Sequence, residues 1–185
     1  MNRRFFWMFP AGLLLMGCAS AQPAPPAEPG SPAGSISLRL PNTMTKFDHV
    51  VVTGDRISGP NLELSRYGDV YRGRAYGEIV DLEWEGDTLV GRIGNGMGTA
   101  LRFREYADGY SLEGQFSGGR GFIALRGNLL KAVAGARRFD LVTDDGLVYR
   151  DVRYTVRPME VVLSPEIAAL PTREQAVALA MFLRH

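Results

Sequence analysis

From Ser35 to Ser164 the chain alternates apolar and polar residues with a period of two, broken by short turn-forming clusters. No other feature restricts the fold as much, because a side chain that changes face at every step belongs to a half-buried strand rather than a helix. In Asp81-Leu82-Glu83-Trp84-Glu85 the acids share one face and Leu82 and Trp84 the other, and in Leu101-Arg102-Phe103-Arg104 the arginines oppose Leu101 and Phe103. The pattern predicts strands in the first half over Ile36 to Leu40, Phe47 to Thr53, Leu62 to Tyr67, Val70 to Tyr76, Ile79 to Trp84 and Thr88 to Ile93. In the second half it predicts Thr99 to Tyr106, Tyr110 to Phe116, Phe122 to Arg126, Arg138 to Val142, Leu147 to Val156 and Met159 to Leu163.

The links between these runs are short. Glu85-Gly86-Asp87, Ala107-Asp108-Gly109 and Asp144-Asp145-Gly146 supply residues that tolerate positive φ, as hairpin turns require, so consecutive strands are antiparallel neighbours. A weak internal repeat places a glycine inside a strand three times, in VYRGRA, LVGRIG and LEGQFS, at Gly73, Gly91 and Gly114. Interior glycines mark bends or close backbone approach, and bends at matching points curl a meander toward closure. With strands paired in order, Arg92, Arg102, Arg104 and Glu113 join the acids of 81–85 in bands of opposite charge on the polar face. The expected fold class is therefore mainly β: an antiparallel meander forming a curled sheet or barrel-like domain, with a short C-terminal α-helix.

That helix is read from the segment 165–185. Thr172-Arg173-Glu174-Gln175 has the form of a capping box. Ala176 to Leu183 is apolar nearly all round and too short to cross a bilayer, so it is expected to pack against the sheet or close one end of a barrel. A docking helix for a partner is the other reading.

The N-terminus has a different character. Arg3 and Arg4 precede an apolar run, Phe5 to Met16, that is shorter than the roughly 20 residues a membrane span needs. It ends in Leu15-Met16-Gly17-Cys18, with the chain's only cysteine, and a Pro/Ala/Gly/Ser-rich stretch follows as far as Gly34. This arrangement resembles the signal peptide and lipobox of bacterial lipoproteins, although Met16 stands where a small residue is usual. The resemblance implies a signal peptide over 1–17, lipid attachment at Cys18, and a tether over 18–34 that carries the domain over 35–164. Ala19 and Ser20 after the cysteine, in place of an aspartate, imply the outer membrane of a Gram-negative cell. Two alternatives stay open: a non-lipidated signal cut after Ala19 or Ala21, and a twin-arginine signal in Arg3-Arg4-Phe5-Phe6. Without Arg3 and Arg4 the basic side chains fall from 21 to 19 against 20 acidic ones, so nothing pulls the mature chain toward nucleic acid.

Candidate chemistry is sparse. His49 stands beside Asp48, but neighbouring strand residues face opposite ways. Asp81 and Glu83 share a face with no sign of burial, and Asp144-Asp145-Gly146 lacks the other ligands of a calcium loop. No metal or cofactor is expected. The glycine-rich stretches Gly94–Gly98 and Ser117–Gly121 should lie at one end of the sheet with the turn near Gly77, making Asn95, Met97 and Arg120 the candidate ligand-facing residues; plain hairpin turns are the competing reading. The functional expectation is an exported, membrane-anchored lipoprotein, non-enzymatic, with a binding or assembly role in the envelope and an envelope protein as partner. Its alternatives are a lipocalin-like carrier holding a small apolar ligand against Trp84, Ile93, Phe103 and Phe116, and a hydrolase built around His49 or a carboxylate pair.

Overall fold

The computed structural model describes residues 33–39, 46–96, 98–134, 137–153 and 159–184. The leader, Cys18 and the tether as far as residue 32 lie outside the described residues, as does Met97, while Gly34, read from the sequence as the end of the tether, opens the first strand. Fourteen strands form a closed antiparallel barrel in which each strand pairs with its sequence neighbours and the last pairs with the first. They are β1 (Gly34–Arg39), β2 (Lys46–Thr53), β3 (Arg56–Gly59), β4 (Leu62–Tyr67), β5 (Val70–Ala75), β6 (Glu78–Glu85) and β7 (Thr88–Ile93). The second half comprises β8 (Thr99–Tyr106), β9 (Gly109–Phe116), β10 (Gly119–Arg126), β11 (Leu129–Ala134), β12 (Arg137–Val142), β13 (Val148–Asp151) and β14 (Glu160–Leu163). A single turn of 3₁₀ helix, Pro165–Ala169, leads to helix α1, Thr172–Leu183.

The expected meander is present, and its closure has a local cause. Gly73 and Gly91 sit inside β5 and β7 with φ of +153° and +137°. A Cβ at either would run into the carbonyl oxygen of Glu63 or Asp81 on the preceding strand. Only glycine lets the backbone bend this closely against its neighbour. The register also sets the predicted charge bands. Arg72 lies opposite Asp81 and Asp81 opposite Arg92, while Arg102 lies opposite Glu113. Arg72 Nε donates to Asp81 Oδ1 at 2.9 Å. A wall carrying these charges outward is the reverse of a membrane-spanning barrel, which turns an apolar band to lipid.

Two strands have no counterpart in the sequence reading. β3 has four residues between the Gly54-Asp55 turn and Pro60, too few to show a period. β11, LLKAVA, has Leu129 and Val133 on the same outer face as Lys131, which weakens its alternation. The glycine-rich stretch Ser117–Gly121 follows the hairpin-turn reading: Ser117-Gly118 form a two-residue turn with both φ positive (49° and 83°), and Gly119–Gly121 already belongs to β10. The described part of the predicted strand Leu147–Val156 is ordered as β13 over Val148–Asp151 only.

Helix α1 fills the barrel. A ring of fourteen strands at about 4.8 Å spacing and about 40° tilt has a backbone radius of about 14 Å, too wide for inward side chains alone to fill. Every residue from Ala176 to Leu183 is at most 4% exposed, on all faces of the helix, and all eight belong to the one core cluster with the inward residues of the strands. A 12-residue helix is about 18 Å long. Seven strand residues at that tilt also rise about 18 Å, so the helix matches the barrel in height. Its ends are tied to opposite rims. Arg173 pairs with Asp87 in the β6–β7 turn, and Arg184 pairs with Glu78 beside the β5–β6 turn. The all-round apolarity seen in the sequence thus belongs to a helix enclosed by strands. The capping box does not form: Pro171 occupies the N-cap position, and the Thr172 hydroxyl donates to Glu105 at 2.9 Å.

Candidate functional site

The rim around the first turn of α1 is built from a recurring turn. Gly54-Asp55, Gly68-Asp69, Gly86-Asp87, Ala107-Asp108 and Gly127-Asn128 each link two strands at this end. In each, the carbonyl of the second residue accepts a backbone N–H from farther along the chain: Arg66, Trp84, Phe103, Gly127 and Thr143 respectively. This stitching fixes the strand ends, and alternation then aims Tyr71, Trp84, Phe103, Tyr110 and Tyr149 inward as an aromatic belt, each at most 6% exposed. Trp84 meets Phe103 edge-on with centroids 5.8 Å apart, and Phe103 stacks on Tyr110 at 5.9 Å.

The first turn of α1 divides this mouth in two. On the β4–β8 side is a cleft of about 690 Å³ whose lining includes Arg66, Trp84, Asp87, Glu105, Arg173 and Glu174. The Arg173 guanidinium lies 5.0 Å from the Trp84 ring centroid and 5.8 Å from that of Phe103, and it donates to Asp87 Oδ1 at 2.6 Å. Arg66 pairs with buried Glu174 and lies 5.9 Å from the Tyr71 ring. Burial pushes the Tyr71 hydroxyl up from its ordinary range, with the Arg66 charge pulling it partway back. Glu174 Oε2 is buried without a hydrogen-bond partner among the described residues. On the β9–β14 side is a smaller cleft of about 250 Å³, mostly apolar, between the 3₁₀ turn and the strand ends.

The residues singled out from the sequence lie elsewhere. Asn95 and Arg120 are exposed at the opposite end, and Arg120 is 3.6 Å from Glu113. The turns at Gly77, Gly94–Gly96 and Ser117 do gather there: Ser117 Oγ lies 3.5 Å from the Ile93 carbonyl oxygen, and Arg184 reaches both Glu78 and Ser117. A shallow depression of about 760 Å³ beside Asn95 is lined mainly by outer-wall residues such as Arg74, Asp81 and Arg92. His49 is half-buried on β2 opposite Ser37, away from the mouth, and Asp81 is held by Arg72 on the outer wall. Among the described residues, no three His, Cys, Asp or Glu side chains converge as metal ligands do. Comparison of the chain with protein-family models, curated proteins and solved structures found no match.

The mouth escaped the sequence reading because its members come from separate segments, β4, β5, β6, β8, β9, β13 and α1 among them, and each reads as ordinary core or rim on its own element. The available signal was the recurrence of Gly-Asp or Asp-Gly at one end of successive hairpins, together with an aromatic two residues from the turn at Trp84 and Tyr110.

Proposed function

We propose that this chain is a lipid-anchored envelope protein with a non-enzymatic binding or assembly role, and that the mouth around the first turn of α1 is its recognition surface. The observation that carries this reading is the filled lumen. Trp84, Ile93, Phe103 and Phe116, the residues a carrier would place around its ligand, share one buried core with α1. That leaves the rims and the outer wall for a partner. Of these, the mouth combines concavity with aromatic and arginine side chains, the residue types enriched where proteins bind each other. Its position agrees with anchoring through Cys18, because the barrel begins at Gly34 on this same end: the Ser35 N–H donates to Ser164 Oγ at 2.9 Å, and Gly34 packs on Ile167. A tether of about 3 Å per residue would hold the mouth within a few tens of Å of the lipid surface.

Photocrosslinking in intact cells tests this. A crosslinker at Arg102 or Glu105 should capture a partner of defined mass, whereas one at Asn95 or Arg120 should not, and Cys18→Ser should abolish both fatty-acid labelling and the capture. Capture only from the Asn95 and Arg120 end would overturn the assignment of the mouth, and an unlabelled wild-type protein would overturn the anchor.

A further inference from the structure

The end of the barrel opposite the mouth carries charge of the opposite sign. Over β5 to β12, its turns and the two residues on either side of each bring together Arg74, Arg92, Arg120, Arg137 and Arg138, all exposed. Among the described residues the acid there is Glu78, which Arg184 already holds. At the mouth the turns of the same strands have the reverse balance, with Glu85, Asp87, Glu105 and Asp108 against Arg126. Arg74 and Arg92 lie opposite Glu63 and Asp81, but those acids pair with Arg56 and Arg72, which leaves both arginines without an ion pair among the described residues. On β6, between the strands that carry them, Ile79 is 63% exposed. A depression of about 760 Å³ takes in Arg74, Ile79, Arg92 and Asn95.

We propose that this end of the barrel docks on an anionic phospholipid surface, with Ile79 in the headgroup layer and Arg74 and Arg92 on lipid phosphates. An exposed aliphatic side chain flanked by cations matches that layer, where burial of apolar surface and attraction to anionic lipid add, and guanidinium groups suit phosphate oxygens. The arginines are spread over eight strands, so a flat, extended surface meets all of them while a compact acidic segment meets few. The acids of the mouth do not cancel this attraction, because they lie about 18 Å away, more than twice the screening length of about 8 Å at physiological ionic strength. Docking requires neither the anchor nor what the mouth recognises. With the anchor it sets an orientation: the stretch from Cys18 to Gly34, at about 3 Å per residue, reaches farther than the barrel is tall, so the far end rests on lipid and the mouth turns away toward a partner.

The full chain with a photocrosslinking amino acid at Ile79 tests this in vesicles of phosphatidylcholine alone or with about one-third phosphatidylglycerol. Irradiation should attach one phospholipid, read by mass, at least about fivefold more often in the anionic vesicles, the effect of even one arginine at such a surface. Salt at about 1 M, which shortens screening to about 3 Å, should remove the difference. The same crosslinker at Glu105 should show no preference for the anionic vesicles. At about fivefold per arginine, Arg74→Gln/Arg92→Gln should weaken docking about 25-fold, and because both side chains are exposed the melting temperature should stay within a few degrees. Anionic lipid is the variable between the vesicles, so the comparison reads the far end whether or not Cys18 is acylated. Equal yields at Ile79 in the two vesicles, a preference that survives the double substitution, or a protein adduct in place of lipid at Ile79 in intact cells would each overturn the proposal.

Discussion

A helix enclosed by strands differs from one lying on a sheet in a way that two substitutions separate. Leu179 and Met181 are both fully buried in α1, and at 100° per residue their side chains leave the helix about 160° apart. A helix seated on a sheet would bury one of them and leave the other near solvent, where truncation costs less than about 0.5 kcal/mol. Inside the barrel both face packed wall, so Leu179→Ala and Met181→Ala should each destabilise by about 2–5 kcal/mol, the transfer loss plus the cavity left behind. For a chain of this size a loss of about 3 kcal/mol lowers the melting temperature by roughly 6–12 °C. Urea unfolding followed by tryptophan fluorescence gives both values, and an unchanged m would confirm that the difference is one of stability. If either variant loses less than about 0.5 kcal/mol while the other loses several, α1 has an open face and the plugged barrel is wrong.

Three further outcomes are expected. Gly91→Ala should destabilise by about 2–3 kcal/mol in the same unfolding assay, because φ is +137° there and a Cβ would strike the Asp81 carbonyl; a neutral result would remove the glycine bend as a cause of closure. Asp145 accepts the Leu147 and Val148 N–H groups and the Thr143 hydroxyl, with backbone donation from Val148 and Leu147 the main causes, and its carboxyl is lowered to about 2. Because the folded value lies below the ordinary 3.8, the stability it adds is present above about pH 4 and disappears as the pH falls toward 2; an NMR titration midpoint near 4 would contradict this. Glu174→Ala leaves Arg66 with only the Gly68 and Gly54 carbonyls as acceptors and should cost about 1–3 kcal/mol, whereas the double variant Arg66→Met/Glu174→Met should recover most of the loss, the pair being partly buried; equal losses in the single and double variants would refute that reading.

Much of the fold was legible because its determinants are local. Period-two alternation across Asp81–Glu85 and Leu101–Arg104 set the faces, the turn clusters at Gly86, Gly109 and Gly146 set antiparallel order, and Gly73, Gly91 and Gly114 marked where strands bend. Closure was only partly legible: it depends on β1 meeting β14 across more than a hundred residues, and on β3 and β11, whose patterns are too short or too weakly alternating to read. The all-round apolarity of Ala176–Leu183 pointed to enclosure, but only the strand count shows that a lumen exists for the helix to fill. The mouth was not legible, since Arg66, Tyr71, Trp84, Phe103, Tyr110 and Arg173 meet only once the barrel is closed around α1.

Native-state hydrogen exchange on α1 tests the central claim most directly. If the helix is the core of the barrel, the amides of Ala178–Leu183 exchange only through global unfolding, at the same free energy as the slowest amides of β6 and β9. Exchange of those amides through a local opening several kcal/mol below the strands would mean that the helix leaves the barrel on its own and that the lumen, not the mouth, is open to a ligand.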